Sequence, residues 1–449
     1  MYGLAALICA AARGADTLAW RADQDQVDAN LAGCTLPQVL RKIAAATGWK
    51  IYYEPGSKAN ISVKFSNLEE DEALHRLLGK FNFAKETTNG VTHLLVFQTA
   101  SRAATRAIVA NKVKDYLIRN ELLVKLKKNS PISIEDLAKQ LHAKIVGRDD
   151  RIGLYRLQFD DEASATAALQ SLSGDNSVAA VGHNYIVDPP TPAESGPVPT
   201  GAGGTPSPAS LLNPKTPANG GLVIGLVDTA VQPQDGYSQY MLPAISVVGQ
   251  ADVPTDQPAH GTAMLDTMVQ TMANNPSMIQ PVTIYKEGEQ TTTFEMMQGV
   301  AAAFYSGAQI ISISSGETGG GSTDGGIDML GSLIDAISQR GPIFVAAAGN
   351  TPGTTPTYPA AYPPVISVTA LDPNGQLAFY ADDFNGVKSA APGTSFTPFG
   401  NQIWEGQGTS EATAFASSWI ANTYNENQGK IPLAQVVNQW ILLHPPPAK

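Results

Sequence analysis

The chain has 449 residues, of which 43% are hydrophobic and 15% charged. This composition excludes a disordered protein, and the length predicts two to four folded domains instead of a single core. Charge is unevenly distributed, because the stretch from Gly221 to the C-terminus holds 5 Lys and Arg against 18 Asp and Glu, a net charge of −13. Such an acidic half would repel phosphate, so nucleic acid is excluded as a partner.

Residues 1–15 contain an apolar run, Leu4–Ala12, of the length found in the core of a signal peptide. We predict a signal peptide here and therefore a secreted or periplasmic protein. The basic residues that usually precede such a run are absent, and a buried N-terminal helix is the alternative. No other stretch is apolar for long enough to span a bilayer. Signal removal would leave Cys34 as the only cysteine, so no intramolecular disulfide is expected.

Residues 33–98, the first module, are predicted to fold as a small α/β domain. The apolar spacing after Leu36 is helical and stops at Gly48, two short strands follow, and a second helix spans 70–78. Asn89-Gly90 predicts a hairpin before the last strand. This core spacing resembles the short N-terminal domain of secretins and TonB-dependent receptors, which implies an envelope partner and no chemistry. Residues 99–119 are polar and helix-compatible, and are predicted to be a connector.

Residues 120–187, the second module, show the order β-α-β-β-α-β of a ferredoxin-like unit. Ser133 is placed to cap the first of its two helices, and a strand at Tyr185–Val187 ends the unit. A ferredoxin-like adaptor domain is one interpretation of this order. Residues 188–220 are rich in Pro, Gly, Ser and Thr and are predicted to be a flexible linker.

Residues 221–449, the C-terminal module, alternate apolar strands with helices, which predicts a parallel α/β sheet. Polar side chains stand where these elements begin or end. Asp228 follows the apolar run Gly221–Val227, and His260 precedes a helical pattern. Asn350 follows the run 343–348, and Ser410 follows Gly408-Thr409 at the start of another helix. Because active sites of open α/β sheets lie at the carboxyl ends of the strands, we expect these side chains to meet.

Asp228, His260-Gly261-Thr262, Gly349-Asn350 and Gly408-Thr409-Ser410, in that order, resemble the subtilisin-like serine peptidases (subtilases) over about residues 222–423. The resemblance implies that Ser410 is the nucleophile, His260 its base and Asp228 the residue that orients His260. It further implies that Asn350 donates to the oxyanion, and that the strand with Ser312, Ser314 and Gly316 binds the substrate backbone.

The ending 181–187 of the second module likewise resembles the inhibitory propeptide of this family. Two positions depart from the family pattern: Asp266 stands where a small residue is usual, and Ala414 where Pro is usual.

The resemblance therefore implies a secreted or periplasmic serine endopeptidase, made as a zymogen, with a protein or peptide substrate and its own propeptide as partner. The alternative is a catalytically silent subtilase-fold binding or scaffold protein of the cell envelope. No cofactor is required for the implied chemistry. Calcium is common in the family, but none of the acidic loops shows a ligand pattern that assigns a metal site.

Overall fold

A computed structural model of the chain describes residues 17–21, 24–54, 60–88, 91–101, 106–108, 116–190, 192–198, 221–233, 236–251, 253–272, 276–286, 289–316, 325–351 and 356–447. The predicted signal peptide, residues 1–15, lies outside this part of the chain. The protein divides into two compact units, residues 1–115 and 116–449.

Within its described residues, the first unit contains seven strands and two helices. They are β1 (Thr17–Arg21), β2 (Gln26–Thr35), α1 (Leu36–Thr47), β3 (Lys50–Tyr53), β4 (Asn60–Leu68), α2 (Glu70–Leu78), β5 (Asn82–Thr88), β6 (Val91–Phe97) and β7 (Arg106–Ile108). The strands form two sheets, β1-β2-β4 and β5-β6-β3-β7. Gly48 ends α1 with a φ of 74°, a backbone conformation that favours glycine. The apolar faces of α1 and α2 pack with both sheets into one core.

The predicted connector over residues 99–119 is wrong at two places. Residues 106–108 form β7, which pairs antiparallel with β3, and Leu117 already begins the first strand of the next module. A three-residue edge strand has no periodicity of its own that a sequence can show. It forms because the open backbone edge of β3 supplies hydrogen-bond partners.

The second module has the predicted ferredoxin-like order. Its elements are β8 (Leu117–Leu126), α3 (Ile134–Gln140), β9 (Lys144–Asp149), β10 (Leu154–Gln158), α4 (Glu162–Leu172) and β11 (Val178–Val187). The strand order is β11-β8-β10-β9, and all neighbours are antiparallel. The cap of α3 forms as predicted, since Ser133 Oγ accepts the amide of Asp136 at 3.1 Å. On β8, Leu122 and Val124 pack with these helices, while Leu123 faces the opposite side of the sheet.

That opposite face lies against the C-terminal module. Leu123 and Val187 share one buried cluster with Phe294 of the C-terminal module. The guanidinium of Arg156 lies 2.8 Å from the Glu295 carboxylate at the margin of this contact. The second module therefore completes its burial against its neighbour in the chain.

The C-terminal module, in the part that the structure describes, is built on a seven-stranded sheet and five helices. The elements of the sheet and its surroundings are β13 (Val223–Asp228), β14 (Ile245–Ser246), α5 (His260–Thr271), β15 (Met278–Thr283), β16 (Thr291–Thr292), α6 (Thr293–Tyr305), β17 (Ile310–Ile313), α7 (Gly325–Ser338), β18 (Ile343–Ala347), β19 (Val365–Leu371), β20 (Ser389–Pro392), α8 (Thr409–Glu426) and α9 (Leu433–Leu443). The sheet order is β14-β15-β13-β17-β18-β19-β20, with every neighbouring pair parallel. This confirms the predicted parallel α/β fold. The chain moves to one side of β13 and then returns to the other, so Asp228 stands at a topological switch point.

The predicted flexible linker, residues 188–220, is wrong for its first part. Residues 194–197 form β12 (Glu194–Pro197), which pairs antiparallel with β22 (Gln402–Gln407). That strand in turn pairs with β21 (Thr394–Phe399). The 188–198 segment is therefore docked on the C-terminal module by backbone hydrogen bonds, which its Pro-rich composition does not reveal. Residues 199–220 lie outside the described residues.

Close packing of α6 on the sheet yields a stability prediction. A Cβ on Gly299 would lie 2.4 Å from Cγ2 of Ile284 and 3.1 Å from Cγ1 of Val227. Alanine in a helix interior usually stabilises by up to about 1 kcal/mol relative to glycine, but overpacking of a core costs about 1–3 kcal/mol. We expect Gly299→Ala to lower the free energy of unfolding measured with urea. Gly196→Ala, with no heavy atom within 4 Å of its new Cβ, is the matched control, and equal midpoints for the two variants would contradict the packing argument.

Candidate active site

Asp228 and His260 form a buried pair at the carboxyl edge of the sheet. Oδ1 of Asp228 lies 2.8 Å from Nδ1 of His260 and also accepts the amide of Thr229 at 2.6 Å. The Asp228 side chain is 0% exposed and that of His260 is 6% exposed. A carboxylate on Nδ1 fixes the imidazole tautomer in which Nδ1 carries hydrogen, which leaves Nε2 as the basic nitrogen.

The junction between β13 and α5 holds this pair in place. The Gly261 amide donates to Oγ1 of Thr229 at 2.8 Å, and a Cβ at Gly261 would lie only 2.3 Å from the Thr229 carbonyl oxygen. Any other residue at 261 would push the start of α5 away from the end of β13. The His-Gly pair of the sequence is thus explained by the approach of two backbones.

Ser410 is the second residue of α8 and is 2% exposed. Its position at a helix N-terminus puts backbone N–H groups and the positive end of the helix dipole beside its hydroxyl. Nε2 of His260 is buried and has no hydrogen-bond partner among the described residues. Catalytic hydrogen bonds are often long in the absence of substrate, so the unpaired Nε2 is compatible with the predicted role of His260 as a base.

Asn350, directly after β18, is oriented by the residue before Ser410. Its Oδ1 accepts both the backbone amide of Thr409 at 2.8 Å and the Thr409 hydroxyl at 2.9 Å. Thr409 Oγ1 in turn accepts the Gly349 amide at 3.1 Å. These bonds fix which end of the Asn350 side chain is oxygen, and they turn its NH₂ group away from Thr409. The sequence suggested no such role for Thr409.

The electrostatic environment favours the protonated form of His260. Burial disfavours the imidazolium, but the charge and hydrogen bond of Asp228, with a further contribution from Glu411, outweigh it and raise the pKa of His260 above its ordinary value. An imidazolium formed during a reaction is thereby stabilised where it forms. Glu411 follows the candidate nucleophile and is itself buried, a feature that the sequence pattern did not single out.

The three residues expected to line a substrate strand lie at and beyond the end of β17. Ser312 is fully buried, and its hydroxyl lies 3.0 Å from that of Ser417 on α8. Its side chain therefore serves helix packing. Ser314 and Gly316 follow the last residue of the strand, and a Cβ at Gly316 would meet the Tyr358 carbonyl oxygen at 2.7 Å. Substrate binding by this strand stays a prediction.

The two departures from the family pattern have local explanations. Asp266 is buried on α5, where it accepts hydrogen bonds from Tyr237 and Gln270. Burial raises the pKa of Asp266 well above its ordinary value, which favours its neutral form at this buried position. α8 continues without interruption through Ala414, whose carbonyl accepts the Ser418 hydroxyl at 2.6 Å.

The described part of the chain shows neither a metal-binding cluster nor a membrane-spanning helix. No group of three His, Cys, Asp or Glu side chains comes together there as a metal site, so we assign no calcium ligands. Within the same ranges, no helix is both long and apolar enough to cross a bilayer.

Comparison with known proteins identifies two segments of the chain. Residues 219–442 match the family model of the subtilase family, and residues 103–184 match the fervidolysin N-terminal prodomain. The thermostable alkaline protease of Halalkalibacterium halodurans is 28% identical over 218 residues, which are 44% of this chain and 58% of that protein. The minor extracellular protease Epr of Bacillus subtilis is 27% identical over 209 residues, 44% of this chain and 31% of that protein. The chain thus spans less than two thirds of these relatives.

Solved structures of other proteins share the fold of this chain. Fervidolysin from Fervidobacterium pennivorans, a keratinolytic enzyme related to subtilisin, superposes with a TM-score of 0.54 at 18% identity over 72% of this chain and 57% of its own. The chain therefore contains a subtilase-family domain preceded by a fervidolysin-type N-terminal prodomain.

Proposed function

We propose that this protein is a secreted or periplasmic subtilisin-like serine endopeptidase that is made as a zymogen. The main support is the 2.8 Å contact between Asp228 and His260, at the same sheet edge as Ser410 and Asn350. The family of the C-terminal module and the extracellular protease among its relatives agree with this activity and location.

In the proposed reaction, the Ser410 hydroxyl attacks the carbonyl carbon of a peptide bond while Nε2 of His260 takes its proton. The negative charge moves to the carbonyl oxygen, where the backbone N–H of Ser410 and the amide of Asn350 donate to it. Asp228 stabilises the imidazolium through Nδ1.

His260 then gives the proton to the leaving amine nitrogen, and the C–N bond breaks to leave an ester on Ser410. Water, deprotonated by the same imidazole, attacks this ester. The bond between the acyl carbon and Oγ of Ser410 then breaks, Oγ takes the proton from His260, and the new carboxyl end of the substrate is released. Each proton that His260 accepts is thus returned within one half-reaction, and no cofactor takes part in this scheme.

The path of residues 188–198 supports the proposal that the protein is made as a zymogen. The hydroxyl of Tyr285 donates to the Asp188 carbonyl at 2.9 Å, on the C-terminal module where β11 meets β16. Five residues later, the Ala193 amide donates to the carbonyl of Gln407 at 2.6 Å, only three positions before Ser410. We therefore propose that the second module is the inhibitory propeptide and that this segment occupies the substrate cleft.

The rival function is a catalytically silent binding or scaffold protein of the envelope. It would be recruited by the first module, whose resemblance to the short domain of secretins and TonB-dependent receptors stays a prediction. The two functions differ in whether Ser410 is activated, which a covalent probe of serine hydrolases measures directly.

We expect a fluorophosphonate probe to label the wild-type protein and to lose labelling in Ser410→Ala. Asp228→Ala and His260→Ala should each lose most labelling and peptidase activity, and the double variant should lose little more than the worse single variant, because the residues act as one unit. Ser338→Ala, a serine at the far end of α7, is the control and should label normally. Absence of labelling in a folded wild type would favour the scaffold function. Additive losses would contradict the proposal that Asp228, His260 and Ser410 act as one unit.

We expect the wild-type protein to cut itself between Asp188 and Gly220, and Ser410→Ala to remain joined there. Both proteins are expressed in the same host, and the mass and first residue of the C-terminal fragment are measured. A cut within 188–194 would lie beside Gln407 and Ser410, whereas one within 199–220 would lie in the Pro- and Gly-rich stretch that proteases reach most easily. Identical processing of both proteins would show that another protease cuts, and an uncut but active wild type would contradict the zymogen.

A further inference from the structure

Glu411, the residue after Ser410, has an unusual environment. It lies in the first turn of α8 and is 1% exposed. Neither of its carboxylate oxygens has a hydrogen-bond partner among the described residues. Burial of a carboxylate without a partner costs free energy, so packing alone gives no physical reason for an acid at this position.

Two glycines make room for the Glu411 carboxyl group. A Cβ on Gly406 would lie 2.6 Å from Oε1, and a Cβ on Gly408 would lie 2.6 Å from Oε2. The same Cβ on Gly408 would lie 3.0 Å from Nδ2 of Asn350. The carboxyl group is thus held against the backbone that leads into Ser410, close to the amide that is proposed to bind the oxyanion.

The elements that pack against α8 carry four charged or titratable side chains: His260 and Asp266 of α5, Asp228 of β13 and Glu405 of β22. Asp266 accepts hydrogen bonds from Tyr237 and Gln270, and Glu405 accepts a hydrogen bond from Gln407 at 2.9 Å. Of these four side chains, His260 and Asp228 shift the pKa of Glu411.

The protonation of Glu411 is balanced by opposing effects. Burial raises the pKa of Glu411 to about 7, the charge of His260 works to lower it, and that of Asp228 works to raise it. The influence is mutual, since Glu411 is one of the groups that raise the pKa of His260. The two groups therefore titrate as a coupled pair.

We propose that Glu411 is a positioning residue that acts through His260: from the start of the helix that packs against α5, its ionised carboxylate adds a second negative charge to that of Asp228 and stabilises the imidazolium that forms when Ser410 loses its proton. This inference rests on the peptidase function proposed above. It assigns to the residue after the nucleophile an electrostatic role of its own in the reaction.

The proposed role of Glu411 predicts a distinctive dependence of kcat/KM on pH. With Glu411 ionised, the transition state, which contains the imidazolium, is stabilised, and the free His260 also holds its proton to higher pH. Loss of the charge should therefore lower the alkaline plateau of kcat/KM and, by the same factor, move the acid limb to lower pH. The two changes cancel at acidic pH, where Glu411 is protonated in the wild type as well, so the profiles should converge there.

The test compares the wild type with Glu411→Gln, of nearly the same shape, and Glu411→Met, an unbranched side chain of similar length. kcat/KM for a chromogenic peptide is measured from pH 5 to 10, with active enzyme counted by fluorophosphonate titration. We expect both variants to lose roughly 3–10-fold on the plateau and their acid midpoint to fall by roughly half to one pH unit. Glu426→Gln removes the same charge from the exposed end of α8, about 22 Å along the helix, and should leave the profile unchanged.

A second measurement does not need activity. In a Ser410→Ala background, the NMR titration midpoint of His260 should fall by a similar amount when Glu411 is replaced by Gln. If the wild type proves inactive, the proposed function fails while this titration still tests the link between the two side chains.

Several outcomes would overturn the proposal in variants whose melting temperature shows that they fold. A loss by the same factor at every pH would indicate packing alone, and unchanged profiles would remove the role altogether. A higher plateau in Glu411→Gln would mean that repulsion between this carboxylate and the nearby oxyanion dominates. An unmoved His260 midpoint would show that the two groups are not coupled.

Discussion

The candidate site depends on how closely the start of α5 approaches the end of β13. A hydrogen bond between Nδ1 of His260 and Asp228 requires the two backbones to come within contact, and the Thr229 carbonyl leaves space only for glycine at position 261. The Thr229 hydroxyl then accepts the Gly261 amide, which satisfies a donor at the helix N-terminus that would otherwise be unpaired. A single crowded junction thus sets the distance between the acid and the imidazole.

A second junction, between β18 and α8, sets the other half of the site. Thr409 binds both the Gly349 amide and the side-chain oxygen of Asn350, so the strand end and the helix start are tied together directly before Ser410. Helices α5 and α8 pack against each other, and the buried alanines at 412 and 416 on α8 belong to the same core cluster as apolar side chains of α5. The side chains proposed as nucleophile, base and amide donor are therefore positioned by element termini that share one parallel sheet.

This arrangement explains how much of the molecule the sequence could predict. Asp228, His260, Asn350 and Ser410 each stand at the end of an apolar strand or the start of a helical pattern, and parallel strands bring such positions to one edge. β7 and β12 could not be predicted, because each forms on the open edge of a strand distant in sequence, β3 and β22. The environment of Glu411 could not be predicted from the sequence either, because Gly406, Gly408 and His260 come together only in the fold.

The sheet of the second module is packed on both faces, and this determines what a cut within residues 188–220 would do. Alternate residues of β8 face its own helices and the C-terminal module, so separation of the two modules would expose Leu123 and Val187 together with Phe294. Burial of such side chains stabilises by about 1.5–3 kcal/mol each, and a cut alters none of these contacts. It removes only the high effective concentration that the tether provides. If the protein is made as a zymogen, as proposed, cleavage and release would therefore be separate events, and the freed module would compete for the site until dilution or degradation removes it.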